Sequence, residues 1–135
     1  MNKIGKEILY KELSDLIIKV AIDVQKELGA GFLEKVYENA MGISFKEKEV
    51  LFEQQKKIEV YFHSQLIGDF FTDIVIENKI ILELKAVETL HPNHYAQLLN
   101  YLKASKYEVG YVINFGKIPL QFKRLVKLNN IKIYN

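Results

Sequence analysis

Residues 70–84 read F-F-T-D-I-V-I-E-N-K-I-I-L-E-L, and this stretch decides the fold. On each side of the polar Glu77-Asn78 turn, apolar side chains fall on both alternating positions. That is the pattern of central strands covered by helices on both faces. Upstream, residues 50–54, 58–62 and 66–76 carry the same strand period, broken by a polar turn at 63–65, so an antiparallel meander is expected over 50–85. On either side of the meander the period becomes helical. Leu13, Leu16, Ile17, Val20, Val24 and Leu28 predict a helix over 9–28 that stops at Gly29. A second helix is expected over 33–48, with Leu33, Val36, Ala40 and Ile43 as its apolar stripe and Glu34, Tyr37 and Met41 on the neighbouring ridge. A third starts at Pro92, a favoured first helical residue, and runs to about 104 with Tyr95, Leu98, Leu99 and Leu102 inward. A buried strand at 111–115 follows, then weaker strand signals at 120–126 and 131–134. The order implies an α/β fold with a crossover through the third helix.

Composition narrows the chemistry. The 135 residues are 49% hydrophobic and 27% charged, with no repeat, no linker signal and two prolines, so residues 1–135 read as one domain. Cysteine is absent, which excludes disulfides, thiolate zinc sites and a Cys nucleophile and fits a reducing cytoplasm. No apolar run suits a signal peptide or a membrane span, so a cytoplasmic protein with no membrane partner is expected. Charge is uneven. Residues 1–108 carry 14 basic and 17 acidic side chains, whereas Lys117, Lys123, Arg124, Lys127 and Lys132 follow with no acid among them. Such a basic end suits a surface facing phosphates, and equally suits a solvated strand edge.

The candidate site lies in residues 73–85. Glu83 and Lys85 are two apart on a strand and share a face, while Leu82 and Leu84 point the other way. A plain two-residue loop at Glu77-Asn78 would pair Asp73 with Leu82 and put Asp73 on the wrong face. A three-residue loop, Glu77-Asn78-Lys79, or a bulge is therefore expected. Two carboxylates brought together repel unless a cation intervenes, and hard oxygen donors suit Mg²⁺ or Mn²⁺. With Lys85 stabilising developing negative charge, the arrangement suits phosphodiester hydrolysis. The competing reading is a surface ion-pair ladder. Val75 and Ile81, large and apolar on the same face, argue against it. On the third helix Gln97 and Tyr101 form a polar i, i+4 ridge able to meet the sheet or a phosphate backbone. His91-Pro92-Asn93-His94 reads as a helix start rather than a metal site.

Gly31-Phe32-Leu33-Glu34-Lys35-Val36-Tyr37 reads G-x-x-E-x-x-Y. Together with Asp73, Glu83-Leu84-Lys85, Gln97 to Tyr101 and Ile113-Asn114-Phe115-Gly116, it resembles the GxxExxY protein family of the PD-(D/E)XK nuclease superfamily. The resemblance implies a restriction-endonuclease-like fold, a central mixed sheet flanked by helices. It implies Glu34 as the acid of the first core helix, Asp73 and Glu83 as metal ligands, and Lys85 as the catalytic lysine. Gln97 and Tyr101 are similar to the Q-x-x-x-Y motif of RecB-like nuclease domains, and Arg124 falls where the family often has a basic residue. The expected function is a Mg²⁺-dependent nuclease acting on DNA, with Lys117, Lys123, Arg124 and Lys127 along the nucleic acid. The alternatives are a non-catalytic nucleic-acid-binding or interaction module and, less favoured, a hydrolase of another phosphodiester or a nucleotide. Specificity is expected to lie in a partner protein, and a homodimer is expected by analogy with nucleases of this fold that cut both strands.

Overall fold

The computed structural model describes residues 9–127; the strand signal at 131–134 and Lys132 lie outside the described residues. In chain order the elements are α1 (Lys11–Leu28), α2 (Glu34–Glu47), β1 (Phe52–Phe62), β2 (Gln65–Ile76), β3 (Ile80–Lys85), α3 (Pro92–Lys103), β4 (Val109–Asn114) and β5 (Gln121–Val126). The strands form one sheet in the order β1-β2-β3-β4-β5. β3 and β4 run parallel, joined by the α3 crossover, and the other neighbours are antiparallel. The signals at 50–54 and 58–62 belong to a single strand. Gln55 between them has a left-handed φ of 53°, yet the pairing continues across it, Gln54 with Ile74 and Lys56 with Thr72.

Both sheet faces are covered, as the doubly apolar stretch 70–84 predicts. Ile74, Ile76, Ile80, Leu82 and Leu84 pack with Ile17 and Val20 of α1 and with Tyr37, Met41 and Phe45 of α2. The alternate residues Val75 and Ile81, with Val112 of β4, pack against Leu98 and Leu102 of α3. α3 sits close because β4 carries Gly110 beneath it; a Cβ there would lie 2.9 Å from Leu98 Cδ1. Apolar surface buried on both sides supplies the main stabilisation of such a layered core.

One helix face differs from the expected one. Leu33, Val36 and Ile43 are 77%, 40% and 62% exposed, and the buried ridge of α2 is Tyr37, Glu38, Met41 and Phe45. The Tyr37 ring decides this. It stacks on Phe115 with centroids 4.4 Å apart and planes 5° apart, and its hydroxyl donates to the Gly29 carbonyl at 2.6 Å. Two adjacent ridges both repeat at helical spacing, and the one carrying the aromatic rings buries more apolar area against the sheet.

Candidate active site

The ladder between β2 and β3 is short. Ile76 pairs with Ile80, Val75 with Ile81 and Ile74 with Leu82, around the three-residue turn Glu77-Asn78-Lys79. The odd count required by the parity argument is present. Glu77 and Asn78 take left-handed φ values of 51° and 56°, and the Lys79 N–H closes on the Ile76 carbonyl at 2.8 Å. One step beyond the ladder, Asp73 stands opposite Glu83, and side chains take over from backbone partners. The Asp73 N–H donates to Glu83 Oε2 at 3.3 Å, and the Leu84 N–H donates to Asp73 Oδ2 at 2.7 Å. The two carboxyl groups thus meet where the central strands part.

The parting coincides with a break in strand alternation. Phe52 and Ile58, six residues apart on β1, pack in opposite clusters, and so do Phe70 and Ile74, four apart on β2. A regular strand would keep each pair on one face. The offset falls at Gln55 and Asp73, where Gln55 holds its left-handed backbone. Gln55 Nε2 donates to Asp73 Oδ1 at 3.4 Å and to Glu38 Oε1 at 3.0 Å, bridging two acids. Glu38, 3% exposed, also accepts from Gln54 Nε2 at 2.7 Å and pairs with Lys35 at 3.2 Å.

The charges are crowded. Burial, then the Asp73 carboxylate, pushes Glu83 up to about 8, against the opposing Asp73 N–H bond and the Lys85 ammonium. Asp73 is raised as well, chiefly by burial and further by Glu38, while the Leu84 N–H, Gln55 and Lys85 pull it down. From α3, Tyr101 stacks on Phe70 at 3.9 Å and 11°, and its hydroxyl is raised by burial and then by Glu83 and Asp73. His94 is lowered by burial and then by Lys85. His91-Pro92-Asn93-His94 is the helix start the sequence predicts: His91 Nδ1 accepts from the Asn93 N–H and His94 Nδ1 from the His91 N–H, both at 3.1 Å. That cap also brings His94 into the field of Lys85.

Two residues of this region escaped the sequence reading. Glu38 replaces Glu34 as the helical acid in the field of Asp73 and Glu83. Glu34 is half-buried in the first turn of α2, one turn earlier, and is not among the charges that shift Asp73 or Glu83. The available signal was a charged residue on the Tyr37/Met41/Phe45 ridge. Asn114, fully buried at the end of β4, latches the chain that follows Lys85. Its Oδ1 accepts from the Val87 and Gly116 N–H groups at 2.9 Å, and its Nδ2 donates to the Val87 carbonyl at 2.9 Å and to Gln121 Oε1 at 3.1 Å. A lone Asn inside an apolar strand is itself a signal of such a latch.

The basic C-terminal residues do not form one track. Arg124 is turned to the α1 side, where Nη1 donates to Ser14 Oγ at 3.1 Å and Tyr111 Oη at 3.2 Å and Nη2 donates to the Leu9 carbonyl at 3.0 Å. Lys127 Nζ donates to the Ser105 carbonyl at 2.7 Å. Each ties parts of the fold together, Arg124 at the start of α1 and Lys127 at the turn after α3. Lys123 lies over the Tyr95 ring at 5.9 Å on the α3 side, and Lys117 is exposed in the β4–β5 turn, whose carbonyl Gln25 Nε2 holds at 2.8 Å. Gln97 is exposed and bonds to none of the site residues.

The donor set suits a divalent cation. Among the described residues no three His, Cys, Asp or Glu side chains cluster closely enough to hold one by themselves. Asp73 and Glu83 supply hard carboxylate oxygens whose mutual repulsion a cation relieves, and Mg²⁺-type ions keep several waters and need only one or two carboxylates.

The family model of the PD-(D/E)XK nuclease superfamily matches residues 11–125. Among solved structures the chain is similar to the crystal structure of SSO0001, with a TM-score of 0.56 and 14% identity. The match covers 73% of this chain and 52% of that one, so the chain spans about half the length of that protein. At this identity the likeness shows the fold alone. No curated protein matches the chain. The five-stranded mixed sheet flanked by helices is consistent with a restriction-endonuclease-like fold. No helix among the described residues is long and apolar enough to cross a membrane.

Proposed function

The chain belongs to the PD-(D/E)XK nuclease superfamily, and on that premise we propose that it is a metal-dependent nuclease acting on DNA, with Asp73 and Glu83 holding Mg²⁺ or Mn²⁺. The observation that carries the reading is the meeting of the half-buried Asp73 and buried Glu83 carboxyl groups where β2 and β3 part, with Lys85 facing the same space. Within the superfamily, the G-x-x-E-x-x-Y stretch at 31–37 supports placement among the GxxExxY proteins. There Gly31 takes a φ of 116° in the α1–α2 turn and Tyr37 ties that turn to the core.

A bound divalent ion supplies Lewis-acid polarisation of the scissile phosphate and a lowered pKa for an attacking water. The chain's own residues do the rest. Asp73 is oriented by the Leu84 N–H and by Gln55, which Glu38 holds in turn. Lys85 offers an ammonium to the negative charge that develops on the phosphate oxygens, an effect that grows toward the transition state. Tyr101, braced on Phe70, and Gln97, exposed one turn before it, present polar groups to the substrate backbone.

Metal titration by calorimetry and cleavage of labelled single- and double-stranded DNA in Mg²⁺ and Mn²⁺, with EDTA as control, test the reading. Asp73→Ala or Glu83→Ala is expected to abolish both metal binding and cleavage. Lys85→Ala keeps metal binding and loses on the order of 10² in rate. Glu38→Ala lowers activity more than Glu34→Ala. A wild type that binds DNA and cuts none under any metal marks a binding module instead.

A further inference from the structure

α3 packs mainly on β4 and β5, so on its side of the sheet β1 and the outer part of β2 stay open. There a groove of about 370 Å³ runs between β1 and the turn after α3, lined by Lys56, Lys57, Ile58, Glu59, Lys106 and Tyr107 among others. Ile58 belongs to the same packed cluster as Val75 and Ile81. The groove therefore opens on the sheet face that also carries Glu83 and Lys85, two and four residues on from Ile81. The path between them is short. Lys56 pairs across the sheet with Thr72, the neighbour of Asp73, and Ile58 pairs with Phe70, on which Tyr101 stacks.

The groove's lining carries three ammonium groups, of Lys56, Lys57 and Lys106, against the single carboxylate of Glu59. Lys56 also pairs with Glu53 at 3.4 Å and Lys57 with Asp69 at 3.6 Å. Such solvent-screened surface pairs are weak and give way readily to a phosphate. A second groove, between α1 and β5, is of comparable size but balances Lys19 and Lys26 with Asp15 and Asp23. Only the first combines positive charge with continuity to the carboxylates.

We propose that the groove beside β1 carries the phosphate backbone of the DNA strand that enters the carboxylate site, with Lys56 and Lys106 as its phosphate contacts. The inference rests on the nuclease reading and goes beyond it, because it assigns the path of the substrate to a different surface from the basic C-terminal residues. Each ammonium near a phosphate releases condensed counterions, so the track carries its own signature in salt dependence.

The test measures anisotropy of fluorescein-labelled single-stranded and duplex DNA with the full chain in EDTA, where no cleavage occurs, across a salt series. Lys56→Gln/Lys106→Gln keeps much of each side chain's stem and is expected to weaken binding on the order of tenfold at low salt. It should also flatten the slope of log K against log salt by about 1.4 on the single strand. Lys19→Gln/Lys26→Gln, in the balanced groove, should leave both unchanged. Equal affinity and slope in Lys56→Gln/Lys106→Gln overturns the track, as does a wild type with no affinity for either probe. Cleavage by the wild type in Mg²⁺ is read separately, so a protein that binds through these lysines and cuts nothing keeps the track and sinks the nuclease reading alone.

Discussion

A buried carboxyl group raised as far as Glu83 makes the fold sensitive to pH in a definite direction. Its folded pKa, about 8, lies above its ordinary value of 4.5. Between those two values the native state holds a proton that the unfolded state has released, so this group's contribution to stability falls as pH rises through that window. Asp73 is shifted the same way. If Asp73 and Glu83 hold a divalent cation as proposed, it competes with that proton and binds more tightly as pH rises toward 8. Thermal melts at about pH 5.5 and about pH 8.5, with and without Mg²⁺, should show a larger upward shift in Tm from the metal at the higher pH. Glu83→Gln should raise Tm at the higher pH in EDTA and lose the metal-dependent shift. A Tm independent of Mg²⁺ at both pH values would contradict the assignment of these carboxylates as ligands.

At the level of elements, the direction in which the chain leaves Lys85 is set from the neighbouring strand. Lys85 ends β3, the Phe115 N–H donates to its carbonyl at 2.8 Å, and Asn114 then fastens Val87 through both its N–H and its carbonyl. Gly116 completes the latch, since a Cβ there would lie 2.4 Å from the Val87 carbonyl oxygen. Replacing Asn114 with Ala leaves three part-buried backbone groups, the Val87 N–H and carbonyl and the Gly116 N–H, without this partner, each costing up to about 1–3 kcal/mol. Denaturant unfolding of Asn114→Ala should therefore show a loss of about 2–4 kcal/mol. Cleavage should fall with it, because α3 begins five residues past Val87 at Pro92 and carries Tyr101. A loss within experimental scatter of zero would mean that the latch is not what holds this connection. None of these bonds is visible in the sequence, although the isolated Asn in YVINF marks where to look.

For the whole molecule, the uneven charge along the chain is redistributed by folding. The described basic residues after 108 go to different places, one of them into a clamp. Arg124 joins β5 to the start of α1 through Ser14, Tyr111 and the Leu9 carbonyl, and its guanidinium lies over the Tyr111 ring at 5.9 Å. Arg124→Ala should cost about 1–3 kcal/mol of stability, from lost hydrogen bonds and stem packing. It should leave the salt slope of DNA binding unchanged, measured as for the groove lysines. A reduced slope with unaltered stability would return Arg124 to a surface role.

What the sequence by itself determined is whatever depends on local period and on parity. The doubly apolar 70–84 stretch required a sheet covered on both sides, and the helix stops at Gly29 and the start at Pro92 set three helices to cover it. Parity required an odd turn or a bulge between Asp73 and Glu83 if the two were to share a face, since one residue of slip moves a side chain to the other face. Tertiary structure alone decided which of two adjacent ridges of α2 turned inward, and with it that Glu38 rather than Glu34 joined the carboxylates. It alone decided that Arg124 points toward α1 and that Lys56 and Lys106 share a groove. These outcomes rest on contacts between segments dozens of residues apart, where ring stacking, area buried and donor geometry choose among faces that periodicity leaves equivalent.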